Sequence, residues 1–123
     1  MTEHTSLQIS KELLKAGIEI DGKTYWLMYK KEWELWDYLD IISNFGENKQ
    51  TIPAPTVNEL LDRLPKTITR DKKHYMINIY YSTEWNVIYE YKPQDFITLT
   101  LETTLQDALG KMLIYLTKEG LIK

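Results

Sequence analysis

Two amphipathic segments, each led by threonine, lie on either side of a β-patterned middle in this sequence. They run from Ala54 to Pro65 and from Thr103 to Ile122. In the first segment, Thr56 and Glu59 have the spacing of a capping box, which satisfies two otherwise unpaired backbone donors at the start of a helix. Pro65 clashes with a continuing helical turn and ends that helix. The segment therefore predicts a short helix with a defined beginning and end.

The second Thr-led segment predicts the longer helix. Either Thr103 or Thr104 is its cap, with Gln106 or Asp107 respectively as the reciprocal partner, and the sequence leaves both registers open. Gly120 suits the left-handed position that ends a helix. Apolar residues recur at helical spacing in both segments, so one face of each helix is expected in the core. The predicted core comprises Leu60, Leu61, Leu64, Leu109, Met112 and Leu116.

Three segments with strand periodicity lie between these helices. The run from Tyr75 to Tyr81 alternates, and its second face, with Met76 and Tyr80, is apolar enough to predict partial cover. Trp85 to Tyr91 is expected to pair with it as a hairpin. The third strand runs from Phe96 to Leu101, and simple alternation predicts that Ile97, Leu99 and Leu101 point inward and that Thr98 and Thr100 point outward.

The N-terminal part is less regular. Residues 1–8 are expected to fray, Ser10 is the candidate N-cap of a helix from Lys11 to Ala16, and Gly17 ends that helix. The bulky run from Lys23 to Tyr29 predicts a strand.

The next stretch, residues 33–42, has both strand and helical spacing. We favour a strand from Trp33 to Tyr38, in a hairpin joined by the short polar connection Lys30–Glu32, followed by a loop from Ser43 to Thr51. The order is then α-β-β-α-β-β-β-α. It predicts one α+β domain over residues 1–123, with three helices and one antiparallel sheet of about five strands packed against the two later helices.

Composition excludes several classes of protein. The 123 residues carry a net charge of −3, which is too mild for a polyanion binder or a DNA mimic, and no apolar stretch approaches a membrane span. The absence of cysteine excludes disulfides and fits a cytoplasmic protein. Positive charge is concentrated between Arg63 and His74, a segment expected to be a solvated basic loop.

Candidate catalytic and metal-binding residues are few. His4 and His74 lie in the expected frayed terminus and at a strand edge, so neither is placed to act as a ligand or base. The acidic residues Glu32, Glu34, Asp37 and Asp40 match no Ca²⁺ loop spacing and are expected to form a solvated face. We therefore expect no catalytic residues, no cofactor and no metal site, and predict that the protein is not an enzyme.

The aromatic residues suggest a binding surface instead. The chain has 4 Trp and 9 Tyr against 2 Phe, and the polar edges of Trp and Tyr suit half-exposed sheet faces. Beside basic residues, such a face can stack unpaired bases, which makes single-stranded nucleic-acid binding the alternative function. The favoured partner is a protein, either a second copy or another chain, and no membrane is expected. The candidate binding surface comprises Trp26, Lys30, Lys31, Trp36, Arg70, Lys72, Lys73 and Tyr80.

The two Thr-led segments also carry a family resemblance. The pattern of APTVNELLDRLP, paired strands with Trp85 near the start of the second, and then DALGKMLIYLTKEGLI resembles a group of small bacterial and prophage-encoded proteins, some described as phage αβα-sandwich-like domains. The resemblance covers roughly Tyr25 to Ile122. It implies a cytoplasmic accessory or interaction protein of phage or mobile-element origin, and it offers no catalytic residues to carry over.

Overall fold

The protein is an α+β structure. The computed structural model describes residues 4–20, 22–46 and 50–122. Over these residues the predicted class is confirmed, but the strands form two antiparallel sheets rather than one, and the helices number four rather than three. None of the described helices combines the length and apolar character needed to cross a bilayer. The elements, in chain order, are α1 (Leu7–Lys15), β1 (Thr24–Tyr29), β2 (Glu32–Asp37), α2 (Tyr38–Phe45), β3 (Thr51–Pro53), α3 (Val57–Arg63), β4 (Thr67–Arg70), β5 (Lys73–Tyr81), β6 (Trp85–Lys92), β7 (Asp95–Glu102) and α4 (Leu105–Lys118).

The first helix begins one turn earlier than the sequence indicated. Ser6, not Ser10, is its N-cap, and the Ser6 hydroxyl accepts a hydrogen bond from the amide of Ile9. Ser10 lies inside the helix, where its buried hydroxyl is hydrogen-bonded to Thr5 Oγ1. The prediction failed because serine can satisfy its hydroxyl in a buried pair as well as at a cap. Gly17, with φ of 80°, ends the helix as predicted.

Residues 1–8 were expected to fray. Instead, three hydrogen bonds connect Thr5 and Ser6, which precede α1, to the rest of the fold. The amide of Thr5 donates to the carbonyl of Pro55 at 3.0 Å, and the indole N–H of Trp26 donates to the carbonyl of Thr5 at 3.3 Å. The amide of Ser6 donates to Asp107 Oδ1 at 2.7 Å. Residues 1–3 lie outside the described part of the chain.

Both Thr-led helices have the caps that the sequence predicted. Thr56 and Glu59 form the complete capping box of α3. For α4, the cap is Thr104, whose hydroxyl accepts a hydrogen bond from the amide of Asp107. The carboxylate of Asp107, expected as the reciprocal partner, accepts a hydrogen bond from the amide of Ser6. The structure thus selects one of the two registers that the sequence left open. Gly120, with φ of 71°, follows the end of α4.

The three-stranded sheet has the order β2-β1-β3. Residues 33–42 contain both of the elements between which the sequence was ambiguous, because β2 ends at Asp37 and α2 begins at Tyr38. α2 folds back onto the sheet face that carries Leu27 of β1. Leu27 and Ile41, which lies on α2, are both buried.

The predicted loop from Ser43 to Thr51 is therefore shorter than expected. Its start belongs to α2 and its last residue to β3, while residues 47–49 lie outside the described part.

The four-stranded sheet is a meander with the order β4-β5-β6-β7. The prediction of a basic loop from Arg63 to His74 is wrong, because Thr67–Arg70 forms β4 and pairs with β5. The connecting turn contains only Asp71 and Lys72, both at positive φ, as a two-residue type I′ hairpin turn requires.

Three helices fill the space between the sheets. α1 contacts both β3 and α4, α3 contacts α4, and α4 packs across β6 and β7. Gly110 makes the α1–α4 contact close, because a Cβ atom at this position would lie 2.6 Å from Ile9 Cγ2. The core lies between this helix layer and the four-stranded sheet. Of the predicted core, Leu61 is exposed on α3 and the other five residues, Leu60, Leu64, Leu109, Met112 and Leu116, are buried.

Candidate functional site

The outward surface of the four-stranded sheet is the main candidate site. Strand pairing places its side chains in three rows across β5, β6 and β7, with directly paired residues on the same face. We call these nine residues the open face. The first flank row is Met76, Glu90 and Phe96; the middle row is Asn78, Ile88 and Leu99; the second flank row is Tyr80, Asn86 and Leu101.

Five of the six large apolar side chains on the open face are exposed, and the sixth, Ile88 in the central strand, is buried. Met76 is 62% exposed, and Tyr80, Phe96, Leu99 and Leu101 are between 37% and 45% exposed. Within residues 4–20, 22–46 and 50–122, no helix lies over these side chains, because α1, α3 and α4 pack against the opposite face and α2 packs against the other sheet. Monomeric proteins rarely leave a contiguous apolar surface of this kind without a function.

The polar residues of the open face are already engaged. Asn78 Nδ2 donates to Glu90 Oε1 at 3.0 Å. The buried Asn86 amide donates to the carbonyl of Glu84 at 2.8 Å and to Ser82 Oγ at 3.3 Å. Glu90 is the one formally charged residue among the nine. The face therefore has one anionic group, no cation and a mainly apolar contact surface.

A bulge in β7 creates this face. Ile88 pairs with Leu99 and Glu90 pairs with Phe96, so two steps along β6 correspond to three along β7. One extra residue reverses the faces of the side chains that follow it. The prediction that Leu99 and Leu101 point inward is wrong for this reason.

The side chains before and after the bulge differ in whether they follow the predicted alternation. Ile97 packs against the core as predicted. Thr100 was expected to point outward, yet its hydroxyl donates to the carbonyl of Ala108 in α4 at 2.9 Å, so it faces the helix layer. Alternation is thus obeyed on each side of the bulge but not across it.

The two tryptophans of the predicted binding surface lie on opposite faces of the three-stranded sheet. Trp26 faces the helix layer, where its indole N–H reaches Thr5. Trp36 faces α2 and forms an aromatic cluster with Tyr29 and Phe45, with ring centroids 5.4 to 5.8 Å apart. Its indole N–H also donates to Glu34 Oε1 at 3.3 Å.

Lys30 and Lys31 form the turn between β1 and β2. Both have positive φ, and the Lys30 ammonium lies 5.2 Å from the centroid of the Tyr29 ring. The two lysines are therefore at one tip of the three-stranded sheet, and the sequence correctly placed them in a hairpin connection.

Arg70, Lys72 and Lys73 lie together at the β4–β5 hairpin, and two of them contact tyrosine rings. The Arg70 guanidinium is 5.6 Å from the centroid of Tyr75, and the Lys73 ammonium is 5.6 Å from the centroid of Tyr91. Lys72 is exposed in the turn.

An ion pair also engages Lys73. Its ammonium donates to Asp95 Oδ2 at 2.9 Å, and the Tyr75 hydroxyl donates to Asp95 Oδ1 at 2.9 Å. Hydrogen bonds from Lys73 and then Tyr75 lower the pKa of Asp95, and the same carboxylate raises the pKa of Lys73. Of the three cations at this hairpin, Lys73 is thus paired with a carboxylate.

Tyr80, the last of the predicted residues, is part of the open face. The structure therefore brings together the three cations Arg70, Lys72 and Lys73, but it places Trp26, Trp36 and Tyr80 on three different surfaces. The predicted binding surface did not include Phe96, Leu99 and Leu101. Alternation with the inward Ile97 is enough to place Phe96 on the outer face, but placing Leu99 and Leu101 there requires the β6–β7 register, which a single strand does not contain.

The rest of the described chain offers little chemistry. No group of three or more His, Asp or Glu side chains within it is close enough to hold a metal ion. A shallow depression between α1 and the Pro53–Pro55 segment is lined mainly by apolar side chains. Its polar side chain is Ser10, and that hydroxyl is hydrogen-bonded to Thr5.

The chain was also compared with known proteins. Comparison with models of protein families, with curated proteins and with solved structures gives no significant match.

Proposed function

We propose that this chain is a small non-enzymatic interaction module that binds protein through its open face. The observation that carries the proposal is the exposure of five large apolar side chains on one ordered sheet surface. The family resemblance supports an accessory role in a phage or mobile element, acting in the cytoplasm.

The composition of the open face supports protein binding. Interface centres are enriched in aromatic residues and methionine and depleted in lysine, glutamate and aspartate. Tyr80, Phe96 and Met76 fit that pattern, and Glu90 alone departs from it. The side-chain amides of Asn78 and Asn86 have hydrogen-bond partners within the chain, so Glu90 is the group of this face for which cover carries a desolvation cost.

Nucleic-acid binding receives less support from the same residues. Single-strand binders combine stacking aromatics with a cationic groove along the backbone. The open face contains Tyr80 and Phe96 but no lysine or arginine. The cations of the β4–β5 hairpin lie next to Asp95, which pairs with Lys73.

A capture experiment with matched variants tests the proposal. Wild-type chain, Leu99→Glu and Leu39→Glu are immobilised, and the bound proteins are quantified from a lysate of the native host. Leu39 is the control because it is 77% exposed on α2, away from the open face. We expect the Leu99→Glu variant to lose a protein that wild type and Leu39→Glu both retain.

The proposal fails if all three baits retain the same proteins. Single-stranded oligonucleotides are tested in parallel at low and high salt. Binding that weakens steeply with salt and is unaffected by Leu99→Glu supports the nucleic-acid alternative instead.

A further inference from the structure

We propose that a second copy of this chain covers the open face, forming a symmetric dimer in which the two four-stranded sheets stack face to face. The inference rests on the proposed function, because it identifies the protein partner of the same surface. Stacked sheets are a common way to bury such faces, with the sheets about 10 Å apart and their strands within about 30° of each other.

The size of the face suits a reversible dimer. Strands about 4.8 Å apart, with eight or nine residues in β5, β6 and β7 and four in β4, each rising about 3.3 Å, give the whole outer surface of the sheet roughly 450 Å² in projection. The open face is the centre of that surface, and Thr67, Thr69 and His74 lie beside it. The relief of the side chains makes the accessible area larger than the projection, but it stays below the roughly 800 Å² per partner of a standard interface. The area lies at the lower end of the range for specific complexes, so we expect a dimer that dissociates on dilution.

The three rows determine which symmetric arrangement is favoured. If the two-fold axis runs along the strands, Glu90 of one copy lies over Glu90 of the other, and two carboxylates are buried against each other. If the axis runs along the middle row, each first flank row lies over the second flank row of the other copy. Glu90 then meets the neutral Asn86, and repulsion between like charges is avoided.

The second arrangement also matches apolar groups. Met76 lies over Tyr80 of the other copy, and Phe96 lies over Leu101. Only the middle row meets itself, and its members Asn78, Ile88 and Leu99 are uncharged. The open face is therefore self-complementary about the middle row, which is the requirement for an isologous interface.

Sedimentation velocity over a range of concentrations tests for the dimer. Wild type and Leu39→Glu should shift from monomer to dimer as concentration rises. Leu99→Glu places two like charges opposite each other on the axis, and we expect its dissociation constant to rise by at least about 100-fold. Met76→Glu is the second variant, and circular dichroism checks that each variant is folded.

Cysteine cross-linking tests the register. The chain has no cysteine, so single substitutions are unambiguous. With a short bismaleimide that spans about 10 Å between packed sheets, Leu99→Cys should cross-link to itself. Met76→Cys should not cross-link to itself, but it should cross-link in a mixture with Tyr80→Cys.

Three results overturn the inference: a monomer at every concentration, a dimer unaffected by both Leu99→Glu and Met76→Glu, or efficient Met76→Cys self-linking. These outcomes are distinct from failure of the proposed function. A monomeric wild type whose capture of another protein still requires Leu99 retains the binding face but not the second copy as its partner. A monomer that also captures nothing through this face removes both.

Discussion

The outer faces of the two sheets contain similar side chains but differ in what covers them. On the three-stranded sheet, Leu27 is fully buried beneath α2, and Trp36 packs against Phe45 of that helix. On the four-stranded sheet, the corresponding surface exposes Met76 and Leu101. The difference is the local helix, because α2 follows β2 directly and folds back onto its own sheet.

The connections of the four-stranded sheet explain why its outer face lacks such a cover. Its strands are joined by tight turns, such as Pro93–Gln94 between β6 and β7, and the helix that follows β7 packs on the inner face. An apolar face without a local cover must be tolerated or be covered by another molecule. The same substitution is therefore expected to have different effects on stability on the inner and outer faces of this sheet.

The largest difference is expected between Leu109→Ala and Leu101→Ala. Leu109 is fully buried in the core, whereas Leu101 is 44% exposed on the open face. Leu109→Ala should lower the free energy of unfolding by about 2–5 kcal/mol, through lost burial and a residual cavity. Leu101→Ala should lower it by less than about 1 kcal/mol. Urea unfolding of dilute protein measures both, and equal losses would mean that the open face is covered within the monomer.

Gly110→Ala is expected to have the next largest effect. The new methyl group would meet Ile9 at the contact between α1 and α4, and overpacking of this kind costs about 1–3 kcal/mol. Alanine favours helix by up to about 1 kcal/mol over glycine, which offsets part of the loss. Repeating Gly110→Ala in an Ile9→Ala background should recover much of the stability. If it does not, the two helices are not in close contact at this glycine.

Parts of the fold that depend on local chemistry could be predicted from the sequence. The capping box of Thr56 and Glu59 needs only residues three apart in the chain. α2 was the alternative that the sequence left open for residues 33–42, because strand and helical spacing overlap there and the structure contains both elements in succession. β4 was missed because Thr67–Arg70 is short and polar, and its strand conformation depends on pairing with β5.

The candidate site could be predicted only in part. Alternation along β5 correctly placed Met76 and Tyr80 on the second face of that strand. Alternation along β7 misplaced Leu99 and Leu101, because the bulge arises from the pairing of β7 with β6 and leaves no signal in the sequence pattern of β7 alone. Whether a face is covered depends on distant elements, so no local pattern could show that this one is exposed.

Thr104→Ala should have a smaller effect on stability. This substitution tests which residue caps α4, the helix that packs on the inner face of the sheet. Loss of the hydroxyl leaves the amide of Asp107 without its capping partner and should cost about 1 kcal/mol. Thr103→Ala, one residue earlier, is the matched control and should change stability by less than about 0.5 kcal/mol. Thermal or urea unfolding compares the two variants. A larger loss for Thr103→Ala would show that the helix starts in the other register.

The smallest expected effect concerns Asp95, which joins β7 to β5 through Lys73 and Tyr75. Because the pKa of Asp95 is lowered in the folded protein, its contribution to stability is present above the usual aspartate range and is lost as the pH falls through the lowered pKa. The raised pKa of Lys73 keeps its contribution constant up to strongly alkaline pH. The stability difference between wild type and Asp95→Asn should therefore be small at neutral pH and vanish once the pH falls below the lowered pKa of Asp95. Urea unfolding across that range measures it. A difference that grows on acidification would mean that the carboxylate is not stabilised in its charged form.

Because the ion pair of Asp95 and Lys73 is exposed to solvent, added salt should reduce the stability difference between wild type and Asp95→Asn. Salt should not reduce the loss of stability caused by Leu109→Ala.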